Sequence, residues 1–283
     1  MNEVLQIKLG YVNTAFGQVH YREAGGGPTV VLLHESPLSG VVFEKALSFL
    51  GKHVRAIAPD TPGYGASTAP SRPLSIEGYA SRMSKLLDLL GLNEIALVGN
   101  HTGASIAIEL AANEPERIKA LIVLGPPIFN EEERNEWLIK KKHVEPFQLS
   151  SDGSHLSRIW KRYQNRWGAD TPPDLLHLAT TEFLRSAIRY EWAYRAAFLY
   201  NAAKVLPNIV CPTLFLTTEG DALRSNHEKA IELTPTAEGR LLSFPHGQFP
   251  LREPRWFSEE IVIFLRRLGF IQQENNATGG SYV

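Results

Sequence analysis

The hydrophobic positions of the chain follow two alternating patterns. Short, nearly continuous apolar runs predict strands that are covered on both faces of a sheet. Between them, apolar residues recur every three or four positions, which predicts amphipathic helices. The predicted buried strands are Thr29–Leu33, Val54–Ala58, Glu94–Val98, Ala120–Leu124, Thr213–Thr217 and Arg240–Phe244. Strands and helices in this order predict an α/β fold with a mostly parallel sheet and right-handed crossovers.

Two more runs near the N-terminus, Gln6–Tyr11 and Val19–Glu23, predict an edge hairpin that turns at Gly17. They bring the number of predicted strands to eight. Ser75 has the position of an N-cap for a helix that runs to Leu90. Further helices are predicted at Val42–Leu50, Ala104–Asn113, Asn226–Leu233 and from Pro254 to Leu268.

The middle of the chain interrupts this alternation. From about Asn130 to Val205 no run is typical of a strand, and the segment is helical in composition and rich in aromatic residues. We expect a helical cap inserted in the sheet domain, with most aromatic side chains in its own core and a few facing a pocket below. The predicted organisation is a core of residues 1–127 and 206–270, a cap at 128–205 and a flexible tail at 271–283.

The amino-acid composition argues against some classes of binding partner. The chain has 43% hydrophobic and 21% charged residues and a formal net charge of −1, which argues against nucleic acid or a membrane as the partner. No apolar stretch is long enough to span a membrane, and no signal-peptide pattern opens the sequence. Cys211 is the single cysteine and is expected to be a small buried hydrophobic residue. These features favour a cytoplasmic protein that acts on a small molecule, with a homodimer left open.

The strongest candidate for chemistry is the pentad Gly99-Asn100-His101-Thr102-Gly103, which follows a predicted strand and precedes a predicted helix. This strand–turn–helix context is that of a nucleophile elbow. The turn is so tight that side chains larger than hydrogen at its two ends would collide with the neighbouring strand and helix. The central residue is then raised at the carboxyl edge of the sheet, where open α/β sheets bind ligands.

Four other segments match together with this pentad. Residues 32–37 resemble a His-Gly-x-Pro oxyanion loop, and residues 58–67 resemble an Asp-x-x-Gly-x-Gly-x-Ser stretch. Residues 212–221, ending in Gly220-Asp221, resemble the strand and loop that carry a catalytic acid. Residues 247–254 resemble a terminal Gly-His-x-x-x-x-Glu-x-Pro loop. From about Gly10 to Leu268 the chain therefore resembles the α/β-hydrolase superfamily, in particular its capped epoxide hydrolases, haloalkane dehalogenases and esterases.

This resemblance implies the α/β-hydrolase fold, an inserted cap, a small hydrophobic carbonyl substrate and hydrolysis without a cofactor. The sequence departs from the family pattern at three places. His101 stands at the elbow centre, where the family has Ser, Cys or Asp. Gln248 stands where the family has its catalytic His, and His246 lies two residues earlier. Glu35 replaces a usual Gly in the oxyanion loop.

His101 can act in two ways. As a neutral imidazole with a pKa near 6.5 it can serve as a general base toward water or an acidic carbon. It can also attack an acyl group directly. We favour the general base, because it needs no second base to regenerate it. Glu35 or Asp221 is expected to orient the ring, as a carboxylate does in a catalytic triad.

Other candidates surround this residue in the predicted fold. The resemblance implies that the backbone N–H groups of Ser36 and Thr102 form an oxyanion hole. His34 is another candidate for substrate binding, although a structural role for it is favoured. The spacing leaves open whether His246 or Gln248 enters the site. No spacing of these residues matches a known zinc pattern, so no metal is expected.

Three functions remain open from the sequence. The first is hydrolysis of an ester, lactone, amide or activated C–C bond. The second is a lyase, isomerase, cyclase or cofactor-free oxygenase in which His101 removes a proton. The third is a ligand-binding protein that has kept the fold and lost catalysis.

Overall fold

The apolar runs form an eight-stranded sheet in the computed structural model, which describes residues 5–140 and 147–272. The strands are β1 (Lys8–Thr14), β2 (Gly17–Ala24), β3 (Thr29–Leu33), β4 (Arg55–Pro59), β5 (Ile95–Asn100), β6 (Ile118–Leu124), β7 (Thr213–Thr218) and β8 (Ala237–Leu242). Their order across the sheet is β1-β2-β4-β3-β5-β6-β7-β8. The hairpin of β1 and β2 is antiparallel and joins β4 antiparallel, while β3 to β8 pair in parallel. The predicted mostly parallel α/β sheet is confirmed.

Helices cover both faces of the sheet and fill the interval between β6 and β7. They are α1 (Glu44–Leu50), α2 (Ile76–Leu89), α3 (Thr102–Asn113), α4 (Glu131–Asn135), α5 (Ser154–Trp167), α6 (Pro173–Ser186), α7 (Trp192–Leu199), α8 (Ala202–Val205), α9 (His227–Leu233), α10 (Phe249–Arg252) and α11 (Pro254–Arg267). The predicted cap of residues 128–205 encloses α4 to α8, and no strand occurs among its described residues. Of the predicted tail, residues 273–283 lie outside the described part of the chain.

The period of two along each strand divides the core into two layers. Val31 and Leu33 of β3 point into the layer that contains α2 and α3. Val30 and Leu32 point into the layer that contains α1 and α11. All four side chains are buried. Because both faces of β3 are covered, its sequence is a continuous apolar run. Cys211 packs in the first layer as a buried free thiol, as predicted, and burial raises its pKa to about 11.

The sequence predicts the ends of some helices and strands correctly and those of others incorrectly. Ser75 caps α2, since its Oγ accepts a hydrogen bond from the N–H of Gly78 at 3.3 Å. The predicted helix Val42–Leu50 is divided into a 3₁₀ turn at Gly40–Phe43 and α1. The last strand begins at Ala237 and not at Arg240. As an edge strand it is only half covered and lacks a continuous apolar run, so its beginning is set by pairing with β7.

No helix among the described residues is long and apolar enough to cross a bilayer.

Asp60 organises the loop after β4. Its carboxylate accepts hydrogen bonds from the backbone N–H groups of Gly40 (2.8 Å) and Ala66 (2.9 Å), and it pairs with Arg22 (3.1 Å) and His20 Nδ1 (2.9 Å). Burial alone would raise the pKa of this carboxyl. The hydrogen bonds from His20 and Ala66, together with nearby positive charge, lower it instead. The carboxylate thus joins the hairpin, the oxyanion loop and the turn that follows β4.

We expect Asp60→Ala to lower the free energy of unfolding by about 3–5 kcal/mol, because it leaves buried partners without a counter-charge. The exposed pair of Glu94 with Lys119 (3.3 Å) supplies the control, since Glu94→Ala should cost at most about 1 kcal/mol. Urea unfolding at pH 7 measures both variants. Because the folded pKa of Asp60 is lowered, its contribution is complete above its unfolded value and is lost as the pH falls through the folded value. A cost for Asp60→Ala no larger than the control's would contradict this role.

Candidate functional site

The elbow is built at the junction of β5 and α3. His101 is the single residue between them, with φ 49° and ψ −105°, in a region that L-residues rarely adopt. Its backbone N–H still donates to the carbonyl of Leu124 on β6 at 2.9 Å. This strained turn raises the imidazole at the carboxyl edge of the sheet.

Gly99 and Gly103 of the elbow are as closely packed as the sequence predicts. A Cβ on Gly99 would lie 2.6 Å from the carbonyl oxygen of Gly103 and 2.7 Å from Cα of Ala104. A Cβ on Gly103 would overlap the carbonyl oxygen of Leu33 on β3. Real Cβ contacts are never so short, so the first glycine lets the helix approach and the second lets the neighbouring strand approach.

His101 lies between two carboxylates. Its Nε2 is hydrogen-bonded to Asp221 Oδ2 at 3.0 Å, and its Nδ1 lies 3.2 Å from Glu35 Oε2. The three side chains are 18%, 8% and 11% exposed, respectively. Asp221 is itself held, because its Oδ1 accepts from the N–H of Leu223 at 2.7 Å. The structure thus brings together three of the residues singled out in the sequence, in the array Glu35–His101–Asp221.

These contacts determine the charge of the imidazole. Burial by itself lowers the pKa of His101, but the charge and hydrogen bond of Asp221, followed by those of Glu35, raise it well above 6.5. In turn, burial alone would raise the pKa of Asp221, and the charge of His101 lowers it. The raised pKa favours the imidazolium form, and each ring nitrogen lies within hydrogen-bond distance of a carboxylate. The lone pair that a general base would use therefore faces a carboxylate in this structure.

Gly125, directly after β6, forms the back wall of the array. Its φ is +51°, and a Cβ there would lie 2.6 Å from His101 Nε2 and 3.1 Å from Asp221 Oδ1. A side chain at this position would occupy the space in which the His101–Asp221 hydrogen bond forms. No local motif identifies Gly125, because its partner Asp221 lies far away along the chain.

The two amide groups expected for an oxyanion meet beside His101. The N–H of Ser36 points at Thr102 Oγ1 over a long 3.4 Å. Thr102 is the first residue of α3, so its own N–H is one of the amides without an acceptor inside the helix. Both residues line the same cavity as Glu35 and His101.

The segment between β6 and β7 contributes to the wall of this cavity. Five of its aromatic side chains line it: Trp137, Tyr163, Trp167, Tyr194 and Phe198. Phe183 and Tyr190 are instead buried and stack on each other with ring centroids 4.4 Å apart. Arg162 and Arg166 of α5 also line the cavity, which sequence reasoning missed. The spacing 162, 163, 166 and 167 would have identified them, because residues so spaced share one helix face.

His34 is held away from the cavity wall. It is fully buried, its Nδ1 donates to the carbonyl of Glu35 at 2.9 Å, and its Nε2 accepts from the N–H of Thr61 at 2.8 Å. Burial lowers its pKa, so the ring is neutral and both nitrogens are used. These bonds fix the backbone of the oxyanion loop, the structural role favoured for this residue.

His246 and Gln248 take different directions. His246 Nε2 lies 3.2 Å from Glu253 Oε1, and the residue is not part of the cavity wall. Gln248 lines the cavity, and with its amide oriented to satisfy its neighbours the side-chain oxygen accepts from Trp167 Nε1 at 3.2 Å. In the same loop, Arg252 donates to the carbonyl of Trp167 at 2.9 Å. The loop that resembles the family's His loop therefore holds the end of α5.

No group of three or more His, Cys, Asp or Glu side chains within residues 5–140 and 147–272 is arranged to hold a metal ion.

Protonation of His101 can be read directly by ¹⁵N NMR of the imidazole groups. At pH 7 we expect both ring nitrogens of His101 to carry protons, whereas His34 should carry a proton on Nδ1 alone. The raised pKa of His101 stabilises the fold fully below about pH 6.5, and this contribution is lost as the pH rises through the folded pKa. A His101 ring with a single proton at pH 7 would refute the imidazolium assignment.

Gly125→Ala should displace the imidazole from Asp221 and abolish the imidazolium signal of His101. Gly91→Ala is the matched control, because Gly91 also has a positive φ (+68°) but open space around its Cα. Both variants carry backbone strain of about 1 kcal/mol or more. Only Gly125→Ala places a methyl group against His101 and Asp221. Equal effects of the two substitutions on the His101 signal would count against a steric role for Gly125.

Comparison with known proteins agrees with this architecture. The sequence model of the α/β hydrolase fold family matches residues 28–248. Epoxide hydrolase 3 of Siraitia grosvenorii is 37% identical over 123 residues, which are 42% of this chain and 39% of that protein. A haloalkane dehalogenase of Agrobacterium fabrum is 32% identical over 117 residues, 41% of this chain and 38% of that protein. The matched segments thus span about two fifths of these relatives.

A solved enol-lactonase from Burkholderia xenovorans has the same fold, with a TM-score of 0.76 and 20% identity over 90% of this chain and 99% of that one. With its sheet, its elbow and the extent of the family match, the chain belongs to the α/β hydrolase fold family.

Proposed function

We propose that this protein is a hydrolase of small carbonyl compounds, in which Glu35 activates water beside an imidazolium at the elbow. The observation that carries the proposal is the array Glu35–His101–Asp221, of which Glu35 and His101 line the capped cavity. His101 is not the base in this proposal, because both of its ring nitrogens face carboxylates. Glu35 has a second carboxylate oxygen that is not used by His101, and its side chain lines the cavity.

Each group has one role. Glu35 takes a proton from water while the water oxygen bonds to the carbonyl carbon, and the C=O electron pair moves onto oxygen. The N–H groups of Ser36 and Thr102 receive that oxyanion. When the oxyanion collapses, the bond to the leaving group breaks, and the leaving group takes the proton from Glu35. His101 and Asp221 keep their charges throughout and hold Glu35 in position.

The relatives support the reaction class. An epoxide hydrolase and a haloalkane dehalogenase share sequence with this chain, and an enol-lactonase shares its fold. The long bond from Ser36 N–H to Thr102 Oγ1 also favours a carbonyl substrate, because a substrate oxyanion can displace so weak an acceptor. The chemistry differs from that of a Ser or Asp elbow in that no acyl-enzyme or alkyl-enzyme forms at residue 101.

Glu35→Gln keeps the shape of the side chain and removes the base. We expect kcat with short-chain 4-nitrophenyl esters to fall about 100- to 10,000-fold, the range for loss of a general base. The control is the His246–Glu253 pair outside the cavity, where His246→Gln and Glu253→Gln should each keep kcat within about twofold. Full activity of Glu35→Gln, or loss of activity in His246→Gln, would contradict the assignment.

A single turnover in ¹⁸O-labelled water separates the mechanisms. General-base hydrolysis puts ¹⁸O into the acid product and none into the protein. Label in the peptide that carries Glu35 would instead identify this carboxylate as a nucleophile. Unlabelled product from a substrate with an acidic C–H would indicate the second candidate, a lyase or isomerase. The pairing of Glu35 with His101 also supports this second candidate, because Glu35 could remove a proton from carbon in place of water.

A further inference from the structure

One face of α5 adds positive charge to the catalytic cavity. Arg162, Tyr163, Arg166 and Trp167 all line it, and their spacing places them on one side of the helix. Arg158 belongs to the same helix but is exposed, donates to the carbonyl of Gln148 at 2.8 Å and is not part of the cavity wall.

Arg166 is exposed and has a polar partner but no counter-charge. Its guanidinium donates to the hydroxyl of Tyr194 at 2.7 Å and lies over the same ring, 5.7 Å from the centroid. Across residues 5–140 and 147–272, no carboxylate lies within ion-pair distance of this guanidinium. A planar cation with spare N–H groups is suited to bind a carboxylate through two parallel hydrogen bonds.

The neighbouring hydroxyl is also unsatisfied. Tyr163 is 5% exposed, and its Oη has no hydrogen-bond partner among the described residues. A buried phenol without a partner costs free energy unless a ligand supplies an acceptor. Burial raises the pKa of Tyr163 above that of free phenol, so this group stays protonated and acts as a donor. The cap thus offers a cation and a neutral donor from adjacent positions of one helix.

A second guanidinium, that of Arg162, lies on the same wall of the cavity. Arg162 is packed over the rings of Phe183 and Tyr190, with 5.8 Å and 5.6 Å to their centroids. Arg166 differs in that its guanidinium keeps N–H groups for a ligand, and a ligand carboxylate would supply the counter-charge that this side chain lacks.

We propose that the cavity selects carbonyl substrates that carry a carboxylate, and that Arg166 and the hydroxyl of Tyr163 bind this carboxylate while Glu35 faces the carbonyl. The inference rests on the proposed hydrolase function for its catalytic half. The aromatic wall then covers the apolar link between the two ends of the substrate. The substrate class becomes an acid ester, acid amide or acid lactone in place of a purely hydrophobic carbonyl compound.

A pair of substrates that differ in charge alone tests the proposal. Mono-4-nitrophenyl adipate carries the carboxylate, and methyl 4-nitrophenyl adipate is its neutral counterpart. We expect the enzyme to prefer the anion in kcat/KM. Arg166→Gln should raise KM for the anion about 10- to 100-fold, the value of a charged hydrogen bond, and leave KM for the neutral ester within about twofold. Arg166→Lys should restore part of the preference.

Arg158→Gln is the matched control, since it removes the same charge from the same helix outside the cavity. It should leave both substrates unaffected. Equal effects of Arg166→Gln on the two esters, or an equal effect of Arg158→Gln on the anion, would overturn the proposed carboxylate site while leaving the hydrolase function intact.

Binding measured without turnover separates the two proposals. Titration calorimetry with monomethyl adipate is carried out on the Glu35→Gln protein, which cannot turn the ester over. Adding Arg166→Gln to it should raise Kd about 10- to 100-fold, and adding Arg158→Gln should leave Kd unchanged. Binding of this kind without hydrolysis of either ester would support the carboxylate site and refute the hydrolase function. Absence of binding of the monoester by the unmodified protein would overturn the carboxylate site.

Discussion

The balance of charge at His101 is the constraint on which the site depends. A buried imidazolium needs counter-charge, and its two carboxylates come from loops far apart in the chain. Glu35 follows β3, His101 follows β5, Gly125 follows β6 and Asp221 follows β7. These four strands are neighbours in the sheet and run parallel, so their carboxyl ends meet at one edge. The order of the sheet is therefore what converts separate residues into one array.

Much of the fold and the identity of the array could be predicted from the sequence, and the protonation state could not. Buried parallel strands leave continuous apolar runs, and the elbow requires Gly99 and Gly103, so both are visible locally. The charge of His101 depends on which acids reach its two nitrogens, and Asp221 is 120 residues away. Gly125 is hidden for the same reason, because what it touches is fixed by tertiary packing alone. Arg166 was visible in its helical spacing, but only relative to a cavity that the sequence does not show.

The segment that resembles the family's His loop, residues 247–254, has different contacts in this chain, where the elbow residue is His101. His101 Nε2 takes the place beside Asp221 Oδ2, at 3.0 Å. Gln248 keeps the position and hydrogen-bonds Trp167, while Arg252 binds the backbone of the same tryptophan. His246 pairs with Glu253 outside the cavity wall. In this chain the imidazole beside Asp221 thus comes from the elbow, and the segment of Gln248 and Arg252 contacts the end of α5.

The contacts of Gln248 and Arg252 connect helix α5 to the loop beside the site. Gln248 and Arg252 contact Trp167, the last residue of α5, and the last turn of the same helix presents Arg166 and Tyr163 to the cavity. A displacement of α5 would therefore alter the position of the positive wall relative to Glu35, whose charge attracts Arg166. In the proposed mechanism Arg166 binds the substrate carboxylate and Glu35 activates water, so the distance between these two side chains sets where the substrate carbonyl lies. Selection of the substrate and activation of water would then both depend on how this one helix is held.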